Sequence, residues 1–361
     1  MAVRLWSNRV RWRPARGLVA AWGLVLGLTA ISAIVFGLVR EPPRVAPAAE
    51  AASAPTPPRI TSLKLPPRPT DFRSLSAAER EAMVETTADG LRLPRISPSG
   101  WMPWIAYSRR YAPEGPAARV GLLMINVGAD EASMQRAIDE LPGEVSLAFL
   151  PGTPDLGRWM GRAREHGHES YLMLPIDDPA GTVERGIRPI EATAEAAENA
   201  RRLRAAMARA EGYVGFVVPS PGPVSQQEAI ARPLVKEIAD RGLALIEITP
   251  SPGVSAMYQL TVELGTGYAR SSTVLDYKLA GQGIGTNHNR MLEWTSEGRP
   301  DRPRHDFGVL QPDPQSIDAV VAWRKRVADQ SAVALVPIIG HFECRDACMA
   351  RVRAQPAQLR P

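Results

Sequence analysis

VGLLMINVG at 120–128, EVSLAFLP at 144–151, TPDLGRWMGRAREHGHE at 153–169 and SYLMLP at 170–175 succeed one another, with one further amphipathic segment between the first two. Nearly unbroken apolar runs of strand length, separated by stretches of helical period, read as parallel strands buried on both faces and joined by crossover helices. The pattern continues to the C-terminus. It predicts strands at 120–127, 144–150, 169–174, 213–218, 243–249, 272–276, 305–310 and 332–338. The strand count, and the lack of a glycine-rich nucleotide fingerprint at the first turn, favour an α/β fold of the (β/α) barrel type over a doubly wound open sheet. The longest helix is predicted from about Glu191 to Ala210. Its Ala194, Ala197, Leu203 and Met207 would face the sheet, with Arg201, Arg202, Arg204 and Arg209 in solvent.

The chain has 361 residues, 45% of them apolar and 22% charged, an ordinary balance for a folded globule. Its 34 prolines are not ordinary, and nine of them fall between Glu41 and Thr70 in a Pro/Ala run with little that can pack. The net charge of +5 has a local origin: Arg4, Arg9, Arg11, Arg13 and Arg16 account for five of the 43 basic residues, leaving 38 against 38 acids. A body without basic excess argues against nucleic acid as a partner.

Gly17 to Val39 is a run of 23 uncharged, mostly apolar residues, enough at 1.5 Å per residue to cross a hydrocarbon core of about 30 Å. The arginines before it place the N-terminus in the cytoplasm and the remainder across the inner membrane, in the periplasm of a bacterial cell. A cleaved secretory signal is the rival reading, with Ala46, Pro47 and Ala48 as its cleavage region, but the apolar core is too long and too distant for that. The expected organisation is a cytoplasmic basic segment (1–16), a transmembrane helix (17–39), a disordered linker (40–73), a helix with an irregular aromatic segment (74–117), the barrel domain (118–340) and a C-terminal tail (341–361). Ser76 and Glu79 form a candidate capping box in the fourth part. The aromatics that follow, Trp101, Trp104, Tyr107 and Tyr111, suit either sealing of a barrel end or stacking on sugar rings.

LPGEVSLAFLPGTPDLGRW (141–159), GHE (167–169), EGYVGF (211–216), RGLALIE (241–247) and DPQSIDAVVAW (313–323) occur in an order and spacing that resembles the divergent polysaccharide deacetylase family, over roughly Leu91 to Ile339. The resemblance implies a deformed (β/α) barrel of the carbohydrate esterase kind, with a divalent metal at the C-terminal ends of the strands. In that chemistry the metal polarises an acetamide carbonyl, a carboxylate deprotonates the bound water, and an acid protonates the departing amine. Here the implied positions have changed. The family's paired aspartates at the end of the first strand are Asn126 and Val127. The histidine after EGYVGF is Pro219, the aspartate and serine of the RGLALIE strand are Glu247 and Ile248, and a Gly-His-Pro near the last strand is Gly308, Val309 and Leu310. A histidine often found in the third strand is Met173. An amide takes no proton near neutral pH, and valine and proline offer a metal no lone pair.

The expectation is therefore a catalytically degenerate relative with no cofactor, binding cell-envelope glycan or a periplasmic protein through Asn126, Asp155, His168, Glu247 and Asp276. The alternative is an active metal-dependent carbohydrate deacetylase with a non-standard site, using zinc or a similar ion. A rebuilt metal site would have to bring His288, His305 and His341 to Glu247 or Asp276. His166 and His168 flank a turn and suit a structural role better than ligation. Asp177 and Asp178 point to opposite sides of an extended segment and read as exposed loop residues. AGQGIGTNHN (280–289) lacks the P-loop lysine and reads as a flexible loop. Cys344 and Cys348, the only cysteines, suit a disulfide in an oxidising compartment.

The topology is testable directly. An enzyme active only in the periplasm, fused after Thr70, should be active, and the chain should remain with membranes through an alkaline wash. A soluble form beginning near Ala48 would instead identify a cleaved signal.

Overall fold

The computed structural model describes residues 72–110, 118–177, 186–249, 253–276, 283–299, 302–329, 333–344 and 346–353. The basic segment, the apolar run 17–39, the linker up to residue 71, Tyr111, Asp178 and the last eight residues lie outside the described residues. Among those described, no helix is long and apolar enough to cross a membrane.

The described residues begin with α1 (Ala77–Ala82), whose Ser76/Glu79 capping box has both of its hydrogen bonds, and a small antiparallel pair, β1 (Val84–Thr86) and β2 (Arg92–Pro94), before the short α2 (Pro103–Ala106). Strands and helices then alternate: β3 (Ala118–Val127), α3 (Glu131–Glu140), β4 (Ser146–Phe149), α4 (Leu156–Glu165), β5 (Ser170–Met173), α5 (Ala196–Met207) and β6 (Gly215–Val218). They continue with α6 (Pro223–Gln226), α7 (Glu228–Asp240), β7 (Ala244–Ile248), α8 (Met257–Leu264), β8 (Tyr268–Ser271), β9 (Thr273–Val274), α9 (Gly285–Ser296) and β10 (His305–Leu310). α10 (Pro314–Ala328), β11 (Val333–Leu335), a 3-10 turn (Ile338–His341) and α11 (Asp346–Arg353) complete the fold. At 15 residues α10, not α5, is the longest helix described, started by Pro314 and by Asp313, which accepts from the Gln315 and Ser316 amides. α5 is shorter than predicted because Glu191 is tied to Asn199, whose side chain both donates to and accepts from its backbone. Ala197 is exposed, and Asn199, Leu203, Ala206 and Met207 form the buried face.

All sheet partners from β3 onward are parallel, in the order β8-β7-β6-β5-β4-β3-β10-β9. The two ends of this path are consecutive in sequence, separated by Ser272 alone. β8 and β9 are thus two halves of one stave broken at that residue, the first paired with β7 and the second with β10, and the eight strands of the path make a nearly closed barrel of seven staves. The Ser271 hydroxyl donates to the Phe307 carbonyl across the join. The predicted strand at 272–276 covers only β9. β8 is not predicted because YARS is only four residues long and ends in Arg270 and Ser271, which leaves no apolar run to read. β11 lies beside the start of β3.

Alternation along the strands sorts side chains into two cores. Leu123, Ile125, Ala148, Tyr171, Met173, Val217, Ile246, Ala269, Phe307 and Val309 fill the bore, while Leu122, Met124, Leu147, Phe149, Leu172, Phe216 and Leu245 pack under the helices. Trp101, Trp104, Ile105 and Tyr107 belong to the bore cluster and are buried. They enter from the N-terminal end: the Trp104 amide donates to the Gly242 carbonyl just before β7, and its ring meets Phe342 edge-on at 5.8 Å. These described aromatics seal the barrel, so they offer no platform for sugars.

The segment predicted as a tail is integral to the barrel as far as Arg353. Tyr268 and Glu343 exchange backbone hydrogen bonds along the edge of β8, Cys348 and Val352 are buried, and Arg351 donates to the carbonyls of Leu264 and Ala239. A disulfide joins Cys344 to Cys348, with Cα atoms 5.2 Å apart, and so couples this edge strip to α11.

Glu169 ties the N-terminal seal to the strands. Its carboxylate, fully buried at the start of β5, accepts from the Arg109 amide (2.9 Å), the Ser146 hydroxyl (3.0 Å), the Tyr171 hydroxyl (3.0 Å) and the Ile339 amide (3.3 Å). Burial holds its pKa above the ordinary carboxylate range, against the pull of these donors. Glu169→Gln keeps the volume but replaces an acceptor with a donor facing other donors. A loss of about 1–3 kcal/mol is expected for each donor left without a partner, read as a lower thermal midpoint, while Glu293→Gln on the exposed face of α9 should leave the midpoint unchanged.

Candidate functional site at the mouth of the barrel

Parallel strands place all their C-terminal ends on one face, where strand-to-helix loops can converge. Three non-glycine residues with left-handed backbones stand there in succession: Asn126 (φ 56°) at the end of β3, Asp155 (φ 48°) after β4 and Asp177 (φ 44°) after β5. Asn and Asp tolerate this conformation best, and strain of this kind collects where a structure orients groups for function. Gly128 shares the first turn for a steric reason as well: at φ 97° a Cβ would meet the Thr153 hydroxyl at 2.0 Å.

Asn126 and Asp276 are linked through Gln311. The Asn126 amide donates to the Gln311 side-chain oxygen at 3.1 Å, and the Gln311 backbone amide donates to an Asp276 carboxylate oxygen at 2.6 Å. Gln311 went unnoticed in the sequence; the available signal was its place as the first polar residue after β10. Asp155 is exposed on its turn and makes no capping bond to α4. Asp177 is half-buried and accepts from the Val224 amide, so it closes the start of α6 rather than standing free in a loop.

The other expected residues are placed elsewhere. Val127, although adjacent to Asn126, is fully buried among Met134, Phe149 and their neighbours in the outer core. The pairing of β3 with β4 shifts register between Met124 and Val127, and this irregularity at the left-handed Asn126 turns Val127 away from the bore. Pro219 follows β6, which is separated from β3 in the sheet by β4 and β5, and is half-buried. Val309 is buried within the bore. Glu247 shares the outward face of β7 with Leu245; its carboxylate accepts from the Ser255 hydroxyl and, at 2.7 Å, from the Tyr268 hydroxyl, and burial raises its pKa. It holds α8 to the sheet and does not line the mouth. His168 lies before β5, at the opposite end of the barrel, buried with its ring nitrogens 2.8 and 3.1 Å from the carbonyl oxygens of Val145 and Ile138. The expectation that His168 and Glu247 line a binding cleft is therefore corrected: both are structural.

This donor set does not fit a divalent metal. Asn126 supplies an amide and Pro219 no donor at all, and Val127 faces elsewhere. Among the described residues no three His, Cys, Asp or Glu side chains are grouped so as to hold an ion. His288 is buried on α9 against Trp323, with Nδ1 facing the Ile284 carbonyl, while His305 and His341 lie by the lower half of β3 near Arg119. The convergence of these histidines on Glu247 or Asp276 is not formed. Of the stretch read as a flexible loop, residues 285–289 instead form the start of α9, while 280–282 lie outside the described residues.

Fold and mouth together define a nearly closed parallel (β/α) barrel with a polar set at its C-terminal face. The sequence profile of the divergent polysaccharide deacetylase family matches residues 123–339, more than half of the chain, and the protein belongs to this family. A crystal structure of an uncharacterized protein from Agrobacterium tumefaciens C58 shares the fold, with a TM-score of 0.60 and 24% identity over 69% of this chain and 99% of that one. A proposed cellobiose-phosphate cleavage protein from Enterococcus faecalis V583 is more distant, at a TM-score of 0.43 and 11% identity over 62% of this chain and 98% of that one. No curated protein sequence matches significantly.

If the left-handed backbone at Asn126 is what selects the residue, Asn126→Ala should cost about 1–2 kcal/mol while Asn126→Gly costs little. Equal thermal midpoints for the two variants would show that the side-chain bond to Gln311 matters instead.

Proposed function

We propose that this is a catalytically degenerate divergent polysaccharide deacetylase, anchored in the inner membrane by residues 17–39, that binds cell-envelope glycan at the mouth of its barrel. The reading rests chiefly on one observation. At the strand ends where deacetylation needs a base and metal ligands, the chain has an amide, an outward-facing valine and a proline, while Asn126, Gln311 and Asp276 retain a connected polar set. An amide pair beside a single carboxylate offers the mixed donors and acceptors that sugar hydroxyls require, but not the several ligating side chains that an ion site demands. With the N-terminus in the cytoplasm, the Pro/Ala linker would hold the barrel in the periplasm. A periplasmic protein is the other class of occupant for the same face.

Titration of the purified full-length chain with N-acetylglucosamine oligomers tests this, alongside an assay for released acetate with and without added zinc. We expect binding that weakens about tenfold in Gln311→Ala, with no acetate released under either condition. Zinc-dependent acetate release would establish the active hydrolase instead. Failure to bind any envelope glycan would move the assignment to a protein partner.

A further inference from the structure

The join in the barrel leaves a second cleft, far from the mouth. On β10, residues His305 to Phe307 pair with β3 on one side, but on the other side β9 reaches only Gly308 and Val309. The facing edge of β8 is bonded instead to the strip around Glu343. The lower halves of β8 and β10 therefore stand apart, and a cavity of about 1000 Å³ opens between them.

Its lining is basic and carries one large aromatic surface. Arg119, Arg270, Arg299, Arg302 and Arg304 face it, with Trp294 at its side. The acids present are Glu297, which pairs with Arg304 at 2.8 Å, Asp306, which accepts from the Thr273 hydroxyl and the Phe307 amide, and Glu343. The five arginines outnumber these three acids. Arg119 donates to His305 Nε2 at 3.0 Å, which makes that ring an acceptor. Burial first, and then the charge of Arg119, hold His305 below its usual pKa and bring His341 down to about 3, so neither competes for a proton near neutrality. Trp294 is 47% exposed, and the Arg304 guanidinium lies 5.1 Å from its ring centroid. An exposed indole beside a cluster of guanidinium groups supplies an apolar face for a pyranose ring and bidentate donors for an oxyanion.

We propose that this cleft binds an acidic sugar, a saccharide ring bearing a carboxylate or a phosphate, with the ring on Trp294 and the oxyanion among the arginines. The site is distinct from the mouth and does not depend on the function proposed there.

The full-length protein is titrated calorimetrically with glucuronate, glucose 6-phosphate, glucose and inorganic phosphate. At least one acidic sugar should bind about tenfold more tightly than both glucose and phosphate, and the stronger of the two identifies the oxyanion. Trp294→Ala and Arg302→Glu, both at exposed positions, should each weaken that binding about tenfold, whereas Arg201→Glu on α5 and Gln311→Ala at the mouth should leave it unchanged. Phosphate binding as tightly as the stronger of the two acidic sugars would reduce the cleft to a bare anion site and overturn the proposal. So would no binding by any probe up to about 10 mM, or equal weakening by Arg201→Glu.

Discussion

A single buried carboxylate organises the closed end of this barrel. Glu169 receives donors from four parts of the chain: Arg109 in the N-terminal segment, Ser146 on β4, Tyr171 on β5 and Ile339 beyond β11. A charge in that position is costly unless every lone pair is used, so the acceptor geometry selects one arrangement of the segments around it. The aromatic seal, the 3-10 turn and the disulfide-linked edge strip all pack in the same region. Because these N- and C-terminal segments meet beneath the strands, the domain extends well beyond the alternating strands and helices that first identify it.

The two ends of the barrel are built on different principles. The lower end is dense with buried aromatics and satisfied polar groups, which fixes the strands. The upper end carries left-handed residues after three consecutive strands and a chain of hydrogen bonds from Asn126 through Gln311 to Asp276. Strain is tolerated at that face because the packed end holds the strands regardless. The seam adds a third kind of surface, where a stave broken at Ser272 leaves an arginine-lined gap instead of a continuous wall.

Much of this was legible in the sequence. The alternating apolar runs identified seven of the eight barrel strands, the Ser76/Glu79 pair marked a capped helix, and the ordered motifs from 141 to 323 pointed to the family whose profile matches residues 123–339. The C-terminal end of a strand can be read from where its apolar run stops, but the link from Asn126 to Asp276 through Gln311 appears only in the structure. Glu169 was visible only as part of a motif, since nothing local shows that residues 23, 60 and 170 positions away will converge on it.

The sequence by itself determined the fold class, because a solid apolar strand followed by a helix of 3.6 period has few ways to bury itself other than in a parallel sheet covered by helices. Only the tertiary structure decided which way individual side chains face. Strict alternation from Leu123 and Ile125 would send Val127 into the bore, yet one left-handed residue and the accompanying register shift put it under the helices. A period of two reverses with a one-residue slip, and whether that slip occurs depends on pairing with a neighbouring strand, which local sequence does not encode.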